Sequence, residues 1–265
     1  MNRKMIITDI ESEPWEAKLN CFLGLKRKLV GVTFFYNSCD FEEAPEKIMK
    51  ASMSYCAMVR MAACGHARKA GVKNVRCPGA KRALGLASPD EDYLSGQRYL
   101  SLGLYKDIER AKKTAGQVSL MKERTIGFSV SPFSLCKALP HVIIAICDPN
   151  QAMRLIQGYI YHFGPLSVME SLGTQGICAE LTVRPFQTQK PNVSLLCSNT
   201  RFTCMWKDAE LGIGMPYGVF KKMVDGVEKT LGAAEPDQKK KEILRRAEES
   251  LNLKPDVQLG NAYYL

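Results

Sequence analysis

A chain of 265 residues with 46% hydrophobic and 24% charged residues can bury a full core, and it has an ordinary globular composition. Its formal charge of +10 raises the question of nucleic acid. The densest basic clusters are only Lys26-Arg27-Lys28, Lys239-Lys240-Lys241 and Arg245-Arg246, and no recognition-helix, RNP-type or zinc-finger pattern accompanies them. Specific nucleic-acid binding is therefore not expected, and a solvated basic surface that attracts an anionic ligand is the plainer reading.

Residues 1–10 carry no long apolar run before Asp9, Glu11 and Glu13, which is unlike a signal peptide. Leu29 to Tyr36 is apolar, β-branched and aromatic, and predicts a buried strand. Pro45 then precedes a predicted helix over 46–70, in which Ile48, Met49, Ser52, Cys56, Val59 and Ala63 form the inward stripe and Gly71 the stop. Val72 to Arg76 reads as a short strand. Cys77-Pro78 reads as the cap and first residue of the next helix, where unpaired N–H groups would favour a thiolate. Helix is expected again across Tyr105 to Ala111.

In the second half, Lys122 to Val130 is a strand candidate, followed by Val142 to Cys147, an apolar run far too short to span a bilayer. Asp148-Pro149 caps a predicted helix over 149–163 that Gly164 stops. A strand passing into a helix through so short a joint is an α/β signature. If Ile177 to Arg184 is helical, Glu180 and Arg184 face each other at i,i+4. Val193 to Cys197 reads as a strand that delivers Cys197 to its end, and Gly212 to Gly218 reads as a turn before a helix over 217–231. A charged helix over 236–251 follows, with Ile243, Leu244, Ala247 and Leu251 as a sparse apolar stripe, and is expected to be peripheral.

Ten cysteines stand out. Twenty-one positions separate Cys56 from Cys77 and nineteen separate Cys178 from Cys197, with Lys81 and Arg201 each four residues beyond the second cysteine of a pair. No membrane partner and a cytoplasmic, reducing location are expected, so five disulfides are not. Four converging thiolates could hold a metal or a cluster. Free cysteines can equally be small core hydrophobes, and neither pair has a compact Cys-x-x-Cys spacing. Cys178-Ala179-Glu180 is similar to a deaminase zinc signature, but no Pro-Cys-x-x-Cys follows it. Walker and nucleophile-elbow motifs are absent.

The segments Asn150 to Gln157, Cys178-Ala179-Glu180, Val183-Arg184-Pro185 and Pro191 to Ser198 together resemble one family. Leu23-Gly24-Leu25-Lys26, Val30-Gly31-Val32, Cys56 and Cys77-Pro78-Gly79 agree with it. It is the domain-of-unknown-function family 169, or ArCR family, of archaea and anaerobic bacteria. The resemblance covers residues 15–232, with possible halves 15–115 and 116–232, and leaves 233–265 as helix and tail. Members often carry Gly-Asp where this chain has Asn199-Thr200 before Arg201, so a role requiring that acid is not carried over.

The resemblance singles out Cys56, Cys77, Cys178 and Cys197. Its anaerobic setting favours a [4Fe–4S] cluster over zinc, with Lys81, Glu180, Arg184 and Arg201 around it. The expected fold is α/β or α+β, with two pseudo-equivalent halves around a mixed sheet and a peripheral C-terminal helix. The expected function is electron transfer or activation of a small anionic substrate, with a redox partner or a homo-oligomer open. The alternative is a metal-free protein that binds a small anion and uses its cysteines structurally.

Overall fold

The computed structural model describes residues 12–233 and 237–251; the expectations for residues 1–10, for the start of the last helix and for the tail beyond it lie outside them. Among the described residues six strands occur in chain order: β1 (Val30–Phe35), β2 (Arg68–Gly71), β3 (Gly127–Pro132), β4 (Val142–Cys147), β5 (Asn192–Ser194) and β6 (Leu211–Pro216). The helices ahead of β3 are α1 (Ser12–Leu23), α2 (Ser38–Glu43), α3 (Tyr55–Ala63), α4 (Pro78–Ala83), α5 (Glu91–Leu94), α6 (Gln97–Leu100) and α7 (Ile108–Gln117). After β4 come α8 (Pro149–Phe163), a π-helix (Gly176–Val183), α9 (Arg184–Thr188), α10 (Ser198–Cys204), α11 (Tyr217–Lys229) and α12 (Asp237–Leu251).

The strands form one sheet in the order β2-β3-β1-β4-β6-β5, which reads the same from either edge once β1, β2 and β3 are matched with β4, β5 and β6. The register repeats as well. Val30 pairs with Pro132 in the first unit and Val142 with Pro216 in the second. Phe128, Ser129 and Val130 face Ala70, Lys69 and Arg68, just as Gly212, Ile213 and Gly214 face Ser194, Val193 and Asn192. The join between the units falls in residues 133–141, between β3 and β4, rather than at 115/116. Val30, Gly31 and Val32 meet Ile144, Ile143 and Val142 across that join.

The two pseudo-equivalent halves are thus present, but the sheet is antiparallel rather than mixed. Strand-to-strand crossovers do occur, and β1 runs parallel to β2. A third strand slots between them, as in a split β-α-β unit, so every neighbouring pair is antiparallel. Among the described residues, parallel pairing is confined to the isolated bridges Ile48–Lys69 and Met53–Val75.

Those bridges also correct the predicted helix over 46–70. Met49 donates to the Lys69 carbonyl and Arg76 to that of Met53, which ties the 48–53 segment to β2 at one end and to Val75 just beyond it at the other. The helix then starts at Ser54, whose hydroxyl caps Ala57 N–H. The strand read at 72–76 is a 3₁₀ turn, Val72–Asn74, and the true strand is the unpromising Arg68-Lys69-Ala70-Gly71. The third strand and the helix after residue 105 both lie a few residues later than predicted. Gly212 to Pro216 belongs to β6 and is not a turn. The strand Val142–Cys147, the Asp148 cap and α8 with its Gly164 stop form as predicted.

Side chains alternate across the sheet. Val142, Ile144 and Ile146 join one buried cluster with β1, β3, α3 and the π-helix. Ile143, Ala145 and Cys147 join the other, with α1, α8, α11 and α12. On that second face α8 and α11 cross at Gly158 and Gly226, where a Cβ on Gly226 would stand 2.1 Å from the Gly158 carbonyl oxygen. On the first face a Cβ on Gly214 would meet the Leu181 carbonyl oxygen at 2.0 Å, so the π-helix rests directly on the β6 backbone.

Gly214→Ala is expected to lower stability by about 1–3 kcal/mol through overpacking against a backbone that cannot retreat. Gly218→Ala, with nothing within 4 Å of the added carbon, should be neutral or stabilising in the same denaturant titration. A second expectation concerns alkaline pH. Burial, with Asp148 and Glu210 adding to it, pushes the Cys147 thiol from 9.0 up to about 12. A raised folded value keeps its stabilisation below the unfolded value and loses it as pH rises between the two. The melting temperature should fall between pH 9 and 12, and less steeply in Cys147→Ala.

Candidate functional site

The four singled-out cysteines lie on four different elements of the first face. Cys56 is in the first turn of α3, and Cys178 is in the π-helix. Cys77 and Cys197 occupy the N-cap positions of α4 and α10, both with extended backbone. Each half therefore supplies one thiol within a helix and one at the start of a short helix beyond its edge strand. Cys56 and Cys178 are buried, whereas Cys77 and Cys197 are half-buried and form the solvent side.

These elements converge because their backbones meet. A Cβ on Gly176, at the start of the π-helix, would stand 2.8 Å from the Cys197 nitrogen. A Cβ on Gly79, just past Cys77, would touch the Gln175 side chain at 3.5 Å. Gln175 itself has φ +53 and aims Nε2 at the Gly79 carbonyl (3.2 Å) and the Cys178 sulfur (3.9 Å). Burial raises the Cys178 thiol well above its ordinary range, and the charges of Cys56, Cys77 and Cys197 raise it further. Burial raises Cys56 too, with Cys197, Cys204 and Cys77 adding to it while the Thr200 hydroxyl opposes. Cys56 and Cys178 lie in one buried cluster, with Cys77 packed against it. Among the described residues, no three Cys, His, Asp or Glu side chains stand closely enough as placed to hold a metal ion.

Sequence reasoning missed several groups here. Cys204 joins the set through Thr200, whose hydroxyl lies 3.7 Å from its sulfur and accepts from Trp206 Nε1 at 3.1 Å. Trp206 in turn lies beneath the guanidinium groups of Arg60 and Arg27, at 4.9 and 5.8 Å. On the other side the hydroxyls of Tyr93 and Tyr99 both reach Gln175 Oε1, and Tyr99 also donates to Tyr93 at 2.6 Å. Burial is the main cause raising both tyrosines, and the charge of Cys178 adds to it. The only sequence signal for these groups is proximity to a cysteine, as for Gln175, Thr200 and Cys204. Tyr93 and Tyr99 have none.

The π-helix has a local account. Pro185 offers no N–H to the Glu180 carbonyl five residues back, and that carbonyl accepts instead from Asn192 Nδ2 at 3.1 Å. The Thr182 hydroxyl bonds the Ile177 carbonyl at 2.7 Å and meets the Tyr55 hydroxyl at 3.0 Å. Such wide turns are rare and recur at functional sites. No sequence motif announces this one.

The wider turn also overturns the expected Glu180–Arg184 pair. Arg184 binds Glu170 at 2.6 Å. Glu180, 2% exposed, accepts from the Ser194 hydroxyl and from Leu172 N–H at 2.6 Å. Burial raises its carboxyl, and those two donors oppose the shift. Ser194 also accepts from Leu196 N–H at 3.1 Å, so Glu180 braces the loop that presents Cys197. Arg201 is likewise spent on structure, donating to the carbonyls of Leu195, Lys207 and Glu210. Lys81, half-buried on α4, makes no side-chain hydrogen bond or ion pair among the described residues.

A model of the uncharacterised ArCR family, domain of unknown function 169, matches residues 18–226. The chain belongs to that family. It is 29% identical over 191 residues to the uncharacterized protein MJ0308 of Methanocaldococcus jannaschii, covering 71% of this chain and 82% of that one. No solved structure matches it. No helix among the described residues is long and apolar enough to cross a membrane.

Glu180→Gln is expected to cost about 1–3 kcal/mol in denaturant unfolding, because an amide NH₂ would replace one of two acceptor oxygens that each face a donor.

Proposed function

We propose that this protein works in the cytoplasm as the carrier of a [4Fe–4S] cluster on Cys56, Cys77, Cys178 and Cys197. The role is electron transfer or the activation of a small anionic substrate. One observation carries the reading: each repeated half sends two thiols to the same face of the sheet, with Cys56 and Cys178 in one buried cluster, Cys77 packed against it, and the Cys197 backbone against Gly176 at the start of the π-helix. A single zinc with Zn–S bonds near 2.3 Å would hold thiols about 3.8 Å apart. A cubane spreads its four thiolates wider, since iron and sulfide lie between them.

A bound cluster supplies one-electron chemistry. The chain supplies the surroundings. Gln175 Nε2 offers a donor toward the Cys178 sulfur, and the Thr200 hydroxyl faces Cys56 and Cys204. Tyr93 and Tyr99 fix the Gln175 amide so that its NH₂ points toward sulfur. Such hydrogen bonds and burial set the potential of a sulfur-ligated centre. Lys81, on the helix that Cys77 caps, is a cation for an anionic substrate or partner.

A competing reading, a metal-free protein binding a small anion, is favoured by the raised thiols of Cys56 and Cys178, which burial keeps protonated when no cation is near. Anaerobic purification with absorbance from 300 to 700 nm and assays of iron, zinc and sulfide separates the two. The expected result is a brown protein with about four iron and four sulfide per chain. Serine at any one of the four cysteines should remove the colour, while Cys136→Ser and Cys147→Ser retain it. Stoichiometric zinc would keep the ligands and replace the cluster. A colourless, metal-free protein after anaerobic reconstitution, with all ten serine variants alike, would establish the competing reading.

A further inference from the structure

The opposite face of the sheet carries a second polar concavity. A cavity of about 240 Å³ opens where the end of α1, the start of α8 and the α12 helix meet. Its charged lining is Lys26, Arg154, Lys239 and Arg246 against one acid, Asp148. That acid is already engaged as the cap of α8, accepting from Gln151 N–H at 2.9 Å. Three chain segments far apart in sequence thus bring four basic side chains to one small space.

The cations are held in place. Arg154, 3% exposed, donates to Gln157 Oε1 and to the Thr230 carbonyl, both at 2.6 Å. Lys239 donates to Asn150 Oδ1 at 3.0 Å. Arg246 lies against Gly24, where a Cβ would come within 3.3 Å of its Nη1. Its Nε is buried, so the guanidinium is fixed at the wall of the cavity. The fifteen-residue α8 turns the positive end of its dipole toward the same space. Pro149 has no N–H to offer and the Asp148 cap occupies that of Gln151, so the side chains supply most of the donors.

We propose that this cavity is a binding site for a small phosphate-bearing anion, separate from the thiol site. Two guanidinium and two ammonium groups match a dianion with several oxygens better than a single carboxylate. Because the cavity lies on the α1–α8–α12 side and the cysteines on the other, the assignment stands or falls apart from the cluster.

Inorganic phosphate titrated into the full chain at low ionic strength, followed by calorimetry and by melting temperature, tests it. Saturable binding is expected, with chloride at matched ionic strength giving no such signal. Lys26 is exposed, so Lys26→Glu should fold normally and weaken phosphate binding by roughly tenfold or more, as should Arg246→Gln. Cys56→Ser and Cys178→Ser should bind phosphate like the parent. Absence of saturable binding in the parent chain overturns the proposal, as does unchanged affinity in Lys26→Glu and Arg246→Gln, or an equal response to chloride.

Discussion

Val30, Gly31 and Val32 set antiparallel against Ile144, Ile143 and Val142 form the seam on which the rest of the molecule depends. Across it, two three-stranded units of the same order and register stand in two-fold relation. Antiparallel pairing at the seam puts corresponding crossover elements of both units on the same face. Cys56 and Cys178, one from each unit, are thereby buried in one cluster, although the segments that carry them share little sequence. Their short partner helices, capped by Cys77 and Cys197, follow β2 and β5 at the two ends of the sheet and return over that face. A one-residue slip at the seam would turn every side chain of one unit to the wrong face.

Backbone proximity does the remaining work. Gly212 and Gly214 leave no side chain between β6 and the π-helix, and Gly176 leaves none between the π-helix and the Cys197 loop. The polar cost of so wide a turn is met by Asn192, Thr182 and Tyr55. The result is a rigid shelf in which buried thiols and tyrosine hydroxyls lie close together. Their raised values share one cause, removal from water, and a cation among the thiols would reverse it.

Legibility in the sequence followed the range of the interactions concerned. The strand at 142–147, the Asp148 cap, α8 and the Cys77-Pro78 start are written in adjacent residues, through apolar runs, capping oxygens and proline. The predicted helix over 46–70 failed where Ile48 and Met53 bridge to Lys69 and Val75, some twenty residues away, which local propensity cannot register. Arg68-Lys69-Ala70-Gly71 has little strand character of its own and is a strand because β3 accepts it. The paired cysteine spacings did point to two halves. What placed Gln175, Thr200 and Tyr99 beside them was tertiary contact, and the π-helix rotated Glu180 and Arg184 toward different partners from those an α-helix would give.

The outermost strands have a further consequence. β2 has four residues and β5 three, and the free side of β2 is covered where Lys69 accepts from Met49 N–H and donates its own N–H to the Lys47 carbonyl. Lys69 also sends its ammonium to the carbonyls of Phe41, Glu42 and Ala44, closing off the end of α2 beside that edge. A sheet bounded in this way offers little backbone for another chain to extend. Ribbon-like growth from sheet to sheet is therefore blocked at the β2 margin.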